Sequence, residues 1–365
     1  MHTANDTLSS SDPSTDLQPS VTSSLQVNHT ERSSSSRSVE DVSSSSQPGS
    51  DSDDLDIDLF NDLIVTFSQS KGLKDSDCED RVLEKFKLPL EYMNSSASCV
   101  MIGVLDGHGG SACADYVIKQ LPVSLLSVIR NPMKRKLSDS ENLINVTKKA
   151  FQTTDHNFLH MAKRMGGDNS GSTIACAIFF GPDSNDGQLR VLIGSLGDSR
   201  AVLYKLSQTG VDVHASSPIH KPSSKSETRR ISAEGGQVSR IQGIDRVVKR
   251  ISNATGMSMV GLSVSRAFGD LVMKQPKPVV SAVPEFTEAV IDFDSDQFLV
   301  LGTDGVFDFI TEAEVGSIVY QSGRSRQDMK TTADHIVALA KTRGSTDDRT
   351  CVIVDFSWTQ RNITN

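Results

Sequence analysis

Two apolar segments, far apart along the chain, each end in an Asp-Gly pair. The first leads into Asp106-Gly107 and then His108, and the second leads into Asp304-Gly305. Apolar runs of this kind predict buried β-strands, so each aspartate is expected at a strand end. Carboxylates and the Gly107 carbonyl are hard oxygen ligands suited to Mg²⁺ or Mn²⁺, and His108 has a pKa suited to proton transfer. A single Asp-Gly pair is most often only a turn, but its recurrence at strand ends favours a metal site.

Acidic residues recur near two further predicted strands. Glu79-Asp80 belongs to an acidic cluster upstream of the first motif, and Asp347-Asp348 precedes a final strand at 350–356. Two neighbouring divalent ions that share a carboxylate lower the pKa of a water and hold a phosphoryl group. A solvated loop is the ordinary explanation of an acidic cluster, and this alternative stays open for residues 75–80. No Cys-His cluster indicates zinc.

Composition separates an N-terminal tail from the rest of the chain. Residues 1–54 contain long serine runs and almost no large apolar side chains, so we expect them to be disordered. They carry nine acidic and two basic residues, which accounts for most of the formal net charge of −9. The remaining chain is nearly neutral, which argues against a nucleic-acid-binding protein. Five cysteines without CxxC spacing predict free thiols in a cytoplasmic and/or nuclear protein.

Short strands joined by turns dominate residues 60–357 and indicate antiparallel sheets rather than a βαβ array. We expect strands at 64–67, 98–105, 173–180, 189–195, 201–205, 297–302 and 350–356. We expect helices from Ser111 to a stop near Pro122, from a capping box at 138–141, from Thr311 and from Ser325. Residues 218–261 are predicted to be mostly irregular, with a short helix at 226–233. No apolar run reaches the ~18 residues of a membrane span.

Six motifs follow one another in a fixed order. They are Val104–Gly110 (VLDGHGG), Ser170–Thr173 (SGST), Gly197–Ala201 (GDSRA), His220–Pro222 (HKP), Val264–Asp270 (VSRAFGD) and Thr303–Asp308 (TDGVFD). Together they resemble the ordered motifs of the type 2C, or PPM, metal-dependent protein serine/threonine phosphatases. The resemblance covers about residues 60–357, and six motifs in family order make it specific.

The resemblance implies an α+β fold, a central β-sandwich of two antiparallel sheets flanked by α-helices. It implies a catalytic domain at 55–358 with a flap at about 218–261, followed by a short tail at 359–365. Two Mg²⁺ or Mn²⁺ ions and a weaker third are implied as cofactors. The implied ligands of the two main ions are Asp106, which both ions share, with Glu79, the Gly107 carbonyl, Asp304 and Asp348. Asp198, with Asp304 and Asp308, is implied at the third site. His108 corresponds to the general acid, Asp80 to a carboxylate behind the ligands, and Thr173 to a buried threonine near the ions.

The sequence departs from the family pattern on the phosphate side. The family places an arginine four residues before the metal-binding acid, where this chain has Asp75. Lys74 is the nearest basic residue, and as a substitute it offers a point charge without bidentate geometry. Arg349 stands where the family has an asparagine, and Ile219 where it has an acid. Residues 234–261 are longer than the usual flap and basic (Arg240, Arg246, Lys249 and Arg250), which fits either a substrate-docking flap or a solvated loop.

These features favour metal-dependent hydrolysis of phosphoserine and phosphothreonine in proteins. We expect a monomer that binds phosphorylated proteins and neither nucleic acid nor membrane. A phosphoprotein-binding pseudophosphatase is the alternative, because the family's arginine is missing. A two-metal nuclease or phosphodiesterase fits the acidic chain less well. Serines beside acids at 38–41 and 50–54 suggest regulatory phosphorylation of the tail, against the alternative of a passive extension.

Overall fold

The computed structural model describes residues 60, 63–74, 76–89, 98–129, 139–253, 256–322 and 325–356. The tail predicted at 1–54, its candidate phosphorylation sites, Asp75 and the tail predicted at 359–365 lie outside these residues. The strands are β1 (Leu63–Ser70), β2 (Arg81–Lys87), β3 (Ser98–His108), β4 (Gly171–Gly181), β5 (Arg190–Leu196), β6 (Arg200–Ser207), β7 (Gly210–Ser216), β8 (Gln237–Ile241), β9 (Ile244–Asn253), β10 (Gly256–Leu262), β11 (Phe268–Gly269), β12 (Glu285–Val290), β13 (Asp296–Gly302) and β14 (Arg349–Phe356). The helices are α1 (Ala112–Ile129), α2 (Ser140–Arg164), α3 (Lys225–Ala233), α4 (Leu271–Lys274), α5 (Asp304–Phe307), α6 (Glu312–Gln321) and α7 (Arg326–Thr342).

Two antiparallel sheets pack face to face at the centre of the domain. In the five-stranded sheet the order is β1-β14-β13-β6-β7, and in the six-stranded sheet it is β12-β5-β4-β3-β2, with β11 paired to β4. Side chains alternate along β3, so that Val100, Ile102 and Val104 pack between the sheets. Cys99 and Met101 pack on the opposite face, beneath the helices. Both faces of β3 are therefore buried, which explains its unbroken apolar run, and the predicted sandwich is confirmed.

Helices cover the outer face of each sheet. α1 and α2 lie over the six-stranded sheet, where Phe151 is fully buried. α6 and α7 lie over the five-stranded sheet. The predicted start of α7 is confirmed, because Ser325 and Asp328 form a reciprocal capping box. Met329 and Ile336 of α7 are buried, as its apolar spacing predicts.

Helix α1 continues past Pro122, so the predicted stop near this residue is wrong. Val117, Leu121 and Leu125 lie on both sides of the proline and are all buried in the core with α2. Burial of this apolar face offsets the backbone hydrogen bond that proline cannot make. Within the described residues, α1 is also the one helix long and apolar enough to cross a membrane. Because its buried face packs inside the domain, the absence of a membrane span stays our prediction.

The segment predicted to be mostly irregular contains a three-stranded antiparallel sheet, so that prediction is wrong. The order of this sheet is β10-β9-β8, and the short helix α3 lies where it was expected. Ile231 and Val247 pack with Val264 in a small core. Met257 and Met259 of β10 are 71% and 61% exposed. In these strands apolar residues occupy both buried and exposed positions. The alternation of apolar and polar residues that predicts a strand is therefore hidden in the sequence.

A buried ion network fastens α3 to the segment that precedes β11. Glu227 of α3 is 2% exposed and accepts hydrogen bonds from Arg266 at 2.6 Å and from Arg230 at 2.8 Å. Arg266 also donates to the Val283 carbonyl, and Arg230 donates to the Ser265 carbonyl. Burial raises the pKa of Glu227, but the two guanidinium groups outweigh burial and lower this pKa to about 2. The flap is therefore anchored by charge as well as by its small core.

Replacement of Glu227 by glutamine should change how stability depends on pH. The folded-state pKa of about 2 lies below the ordinary value of 4.5, so the ionised carboxylate stabilises the fold above its unfolded pKa. This contribution is lost as the pH falls toward the folded pKa. Between about pH 6 and pH 3 we expect the wild type to lose about 2 kcal/mol more unfolding free energy than Glu227→Gln. Urea titrations measure this difference, and equal pH slopes would contradict the ionic role of Glu227.

Candidate active site

Strand pairing brings acidic residues from distant segments to one end of the sandwich. Asp106 lies opposite Thr173 where β3 pairs with β4. In the other sheet, Gly302 at the end of β13 pairs with Arg200 on one side and Cys351 on the other. The connections at this end carry the remaining acids, Glu79, Asp198, Asp304 and Asp347.

A cavity of about 330 Å³ opens at this end. The residues predicted for the site that line it are Lys74, Asp106, Gly107, His108, Thr173, Asp198 and Asp304. The predicted residues that are not among its described lining are Glu79, Asp80, Asp308 and Asp348. Three charged residues that the sequence analysis did not assign to the site also line the cavity: Arg246, Asp270 and Asp347.

The two adjacent aspartates before β14 have different environments. Asp348 is 2% exposed, and its carboxylate oxygens accept hydrogen bonds from the backbone N–H groups of Gly72 at 2.7 Å and Glu79 at 2.8 Å. Asp348 therefore braces the loop between β1 and β2, whereas the Asp347 side chain, 43% exposed, borders the cavity. The cavity position expected for Asp348 is thus taken by Asp347. Spacing in the sequence cannot distinguish two neighbouring carboxylates.

Arg349 anchors the same loop from inside the protein. It is 2% exposed, and its guanidinium donates to the Asp347 carbonyl at 2.5 Å and to the Lys71 carbonyl at 2.6 Å. A further hydrogen bond of 3.0 Å reaches Ser70 Oγ at the end of β1. The side chain thus joins the loop that carries Lys74 to the loop that carries Asp347.

The cavity acids repel one another, and burial adds to the cost of their charges. Burial, followed by the Asp304 carboxylate, raises the pKa of Asp106 well above its ordinary range. Burial, followed by Asp198, raises the pKa of Asp304 to about 7. Oδ1 of Asp198 is buried and has no hydrogen-bond partner among the described residues. A divalent cation would supply the missing positive charge, so this donor set fits Mg²⁺ or Mn²⁺.

The described acidic side chains do not by themselves form a complete metal-binding site. In the described part of the chain, no three His, Cys, Asp or Glu side chains form a ready metal-binding group. Mg²⁺ commonly keeps several water ligands, so an open arrangement of carboxylates is compatible with it.

Thr173 lines the cavity, whereas Asp80 is buried and is not part of the described lining. Asp80 is fully buried, and its Oδ2 accepts hydrogen bonds from Thr350 at 2.7 Å and Thr303 at 3.3 Å. Burial raises the pKa of Asp80 to about 7 despite the Thr350 hydrogen bond, which lowers it. The hydroxyl groups of Thr173 and Ser199 lie 2.7 Å apart.

Two lysines partly neutralise the acids. Lys74 Nζ lies 2.9 Å from Asp347 Oδ1 and 3.5 Å from Glu79 Oε2. Lys221, from the HKP motif, lies 2.5 Å from Asp198 Oδ2 and 3.7 Å from Asp308 Oδ2. Burial opposes the charged form of Lys221, but the Asp198 carboxylate outweighs burial and raises the pKa of Lys221.

His108 is held by a carboxylate that the sequence analysis quoted in a motif but gave no role. Its Nε2 lies 3.0 Å and 3.1 Å from the two oxygens of Asp270. Burial lowers the pKa of His108, but the Asp270 carboxylate outweighs burial, and the pKa is raised. A Cβ at Gly171 would lie 2.3 Å from His108 Nε2 and 2.4 Å from Asp270 Oδ2, so the glycine makes room for this pair.

The turn that presents Asp270 is fixed from behind. Asp270 has a left-handed backbone, with φ 53°, which is costly for a residue with a side chain. Asp155 of α2 accepts hydrogen bonds from Gly269 N at 2.8 Å and from Lys274 Nζ at 2.6 Å. Lys274 also donates to the Ala267 carbonyl at 2.7 Å. These buried contacts hold the turn in the conformation that faces His108.

A larger cavity, of about 680 Å³, lies between β1, β2 and α7. Its two lining acids are Glu84 and Asp334, and Asp334 is hydrogen-bonded to Ser68 and Lys330. Its lining brings together neither a carboxylate cluster nor a histidine. The candidate site therefore lies in the smaller cavity.

Comparison with known proteins identifies the family of this chain. The family model for Protein phosphatase 2C matches residues 66–349. A probable protein phosphatase 2C 59 from Oryza sativa subsp. japonica is 34% identical over 258 residues, which cover 70% of this chain and 66% of that protein. A protein of the same description from Arabidopsis thaliana is 34% identical over 258 residues, 70% of each chain. The chain therefore spans about two thirds of the length of these relatives.

Two solved structures share the architecture. A C. elegans sex determining protein gives a TM-score of 0.62 at 26% identity, over 82% of this chain and 66% of that chain. A serine-threonine phosphatase 2C from Toxoplasma gondii gives a TM-score of 0.63 at 21% identity, over 80% of this chain and 94% of that chain, a likeness of fold alone. The segment matched by the family model includes every acid around the cavity together with His108. The chain belongs to the protein phosphatase 2C family of serine/threonine phosphatases.

Proposed function

We propose that this protein hydrolyses phosphoserine and phosphothreonine in phosphorylated proteins and uses two Mg²⁺ or Mn²⁺ ions. The observation that carries the proposal is one cavity in which Asp106, Asp304 and Asp347 stand beside His108. Membership of the family supports a metal-dependent phosphatase. The count of ions and the roles of the individual residues are our inference from the described side chains.

We assign the metal ligands from the close grouping of carboxylate side chains around the cavity. Asp106, Glu79, Asp304, Asp347 and the Gly107 carbonyl would hold the two main ions, and Asp198, with Asp304 and Asp308, would hold a weaker third. Asp347 replaces Asp348 in this set, because both oxygens of Asp348 already accept backbone hydrogen bonds. A Cβ at Gly107 would lie 2.5 Å from the Glu79 carbonyl oxygen, so this glycine lets two ligand segments touch. When bound, the cations supply charge neutralisation for the phosphate group and a stronger nucleophile at neutral pH.

His108 is the proton donor in this proposal. It lines the cavity with 26% of its side chain exposed, and Asp270 both orients the ring and favours the imidazolium form. The imidazolium donates a proton to the serine or threonine oxygen as the bond from that oxygen to phosphorus breaks. General acid catalysis of this kind contributes ~10²–10⁴ in rate, because an alkoxide is a poor leaving group.

Lys74 binds the substrate phosphate in place of the missing arginine. Its ammonium group borders the cavity beside Asp347, and Arg246 of β9 also borders the cavity. The ion pairs of Lys74 are the observation that keeps the pseudophosphatase alternative, because a lysine engaged by acids is less available to phosphate. A cytoplasmic and/or nuclear monomer stays our proposal, and the five free cysteines are consistent with a reducing compartment.

Removal of divalent cations should abolish activity. EDTA should stop hydrolysis of a phosphothreonine peptide by the purified protein, and added Mn²⁺ or Mg²⁺ should restore it. Asp106→Asn should lower kcat by at least ~100-fold, since it weakens one of the proposed metal ligands. Phosphate release is the measurement, with circular dichroism as the control for folding. Hydrolysis that persists in EDTA would rule out the proposed chemistry.

The neighbouring aspartates should respond differently to amide substitution. Asp347→Asn should raise the Mn²⁺ concentration for half-maximal activity by ~10–100-fold. Asp348→Asn should lower the unfolding free energy by about 1–3 kcal/mol, because one backbone N–H loses its acceptor, with a smaller change in the Mn²⁺ requirement. Metal titrations of activity and urea unfolding separate the two effects. The reverse pattern would return the metal-ligand role to Asp348.

Replacement of Lys74 should weaken substrate binding more than turnover. Lys74→Ala should raise KM for a phosphopeptide by about tenfold, through loss of a charge-assisted hydrogen bond to phosphate. Lys74→Arg serves as the matched control and should keep KM near the wild-type value. An unchanged KM in Lys74→Ala would assign phosphate binding to another cation. Phosphopeptide binding by the wild type without turnover at saturating Mn²⁺ would favour the pseudophosphatase.

A further inference from the structure

The hairpin formed by β9 and β10 borders two cavities. Arg246, Val260 and Leu262 contribute to the wall of the active-site cavity. Other residues of the same hairpin border a separate groove of about 330 Å³. The groove residues are Val248, Lys249, Arg250 and Met259 from the hairpin, with Glu234, Gly235, Gln237, Pro276 and Lys277 around them. The groove and the active-site cavity therefore share one structural element.

Strand register places an apolar and a basic side chain together on this hairpin. Met259 pairs with Arg250 across the two strands, so their side chains lie on the same side of the sheet. Met257 lies two residues before Met259 and projects to that side as well. All three are exposed, and the accessible fractions of the two methionines are among the largest of the apolar residues in the described chain.

Lys249 fixes the hairpin in place. Its Nζ donates to the carbonyl of Val272, inside α4, at 3.1 Å and to the carbonyl of Gln275, just beyond the end of α4. α4 begins directly after Asp270, the partner of His108. The position of the groove is thus linked to the segment that orients the catalytic histidine.

Positive charge collects here although the whole chain is acidic. Arg250 and Lys277 border the groove, and Glu234 is the single acid among the described residues that line it. Neither Arg246 nor Arg250 has an ion pair within the described residues, whereas Arg266 and Arg230 at the base of the flap are both paired. Each cavity is therefore bordered by one guanidinium group of the hairpin that has no ion pair within the described residues, Arg246 at the active site and Arg250 at the groove.

We propose that the groove, defined by Val248, Arg250, Met259 and Lys277, docks an acidic segment of the phosphoprotein substrate. The proposal rests on the function proposed above and adds a substrate class to it. The occupant carries aspartate or glutamate for Arg250 and Lys277, with an apolar side chain for Met259 and Val248. The charge of the groove and its continuity with the active-site wall argue for this occupant. The segment lies beside the phosphorylated residue in sequence, because one hairpin borders both cavities.

The test compares two phosphothreonine peptides that differ only in their flanks. One carries acidic residues with a leucine near the phosphothreonine, and the other carries serine and glycine at those positions. We expect the wild type to favour the acidic peptide at least tenfold in kcat/KM, mainly through KM. Arg250→Glu with Lys277→Glu should remove this preference and leave turnover of the neutral peptide within twofold. A higher salt concentration should reduce the preference of the wild type for the acidic peptide and should not change the kcat/KM ratio of the double variant.

Arg240→Glu is the matched control, because Arg240 lies on β8 of the same flap and borders neither cavity. It should keep the wild-type preference. If the double charge reversal also abolishes hydrolysis of the neutral peptide, the double variant Arg250→Gln with Lys277→Gln takes its place. The ratio of kcat/KM for the acidic peptide to kcat/KM for the neutral peptide then decides whether the groove docks the acidic segment. Equal kcat/KM for both peptides in the wild type would overturn the docking proposal, as would tighter competition by an oligonucleotide than by the acidic peptide.

Failure of the proposed function would be recognisable separately. A wild type that hydrolyses neither peptide at saturating Mn²⁺ rejects the phosphatase activity. Fluorescence anisotropy of the labelled peptides then decides docking alone. Tenfold tighter binding of the acidic peptide, abolished by the double charge reversal, supports the groove, and equal binding of the two peptides rejects it.

Discussion

Antiparallel pairing decides which chain segments meet at the end of the sandwich, and the chemistry of the cavity depends on this register. β3 and β4 pair without a shift from Ser98 opposite Gly181 to His108 opposite Gly171. A slip of one residue would turn Ile102 away from the space between the sheets and toward the helices, and would do the same to every other side chain on its face of β3. The core therefore holds Asp106 at a fixed place beside the other acids. Burial of apolar side chains stabilises a group of like charges whose own interaction is repulsive until a cation binds.

The loops around the cavity approach one another closely because key positions lack side chains. A Cβ at Gly305 would lie 2.0 Å from the Asp348 carbonyl oxygen, and a Cβ at Gly72 would lie 2.5 Å from the carbonyl carbon of Asp347. Neither glycine has a positive φ, so close packing rather than a special turn requires them. Gly171 serves the same purpose between His108 and Asp270. The glycines of the motifs are thus part of the site's packing, in addition to any turn they form.

Much of the fold was predictable because local signals agreed with tertiary packing. The buried strand at 98–105, the caps at Thr311 and Ser325 and the repeated Asp-Gly pairs all follow from short patterns. The sheet of the flap was not predictable, since exposed methionines obscure its alternation. The partnership of His108 with Asp270 spans 162 residues, and no local pattern reports a contact at that distance. Likewise, two backbone N–H groups of the loop between β1 and β2 decide the role of Asp348, and these contacts are invisible in the sequence.

The missing arginine changes how phosphate and metal compete for the same charges. Lys74 is attracted to Asp347, the carboxylate that we assign to the metal. In the proposed site, a cation bound to Asp347 would weaken the attraction of this carboxylate for Lys74, and the ammonium group would then be freer to bind phosphate. A guanidinium would bind phosphate through two parallel hydrogen bonds, whereas Lys74 offers one flexible point charge. Arg246, on the flap side of the cavity, is the other long cationic side chain in the described lining. Under the proposed function, phosphate recognition would therefore depend on the position of the flap more than it would with an arginine in the loop before Glu79.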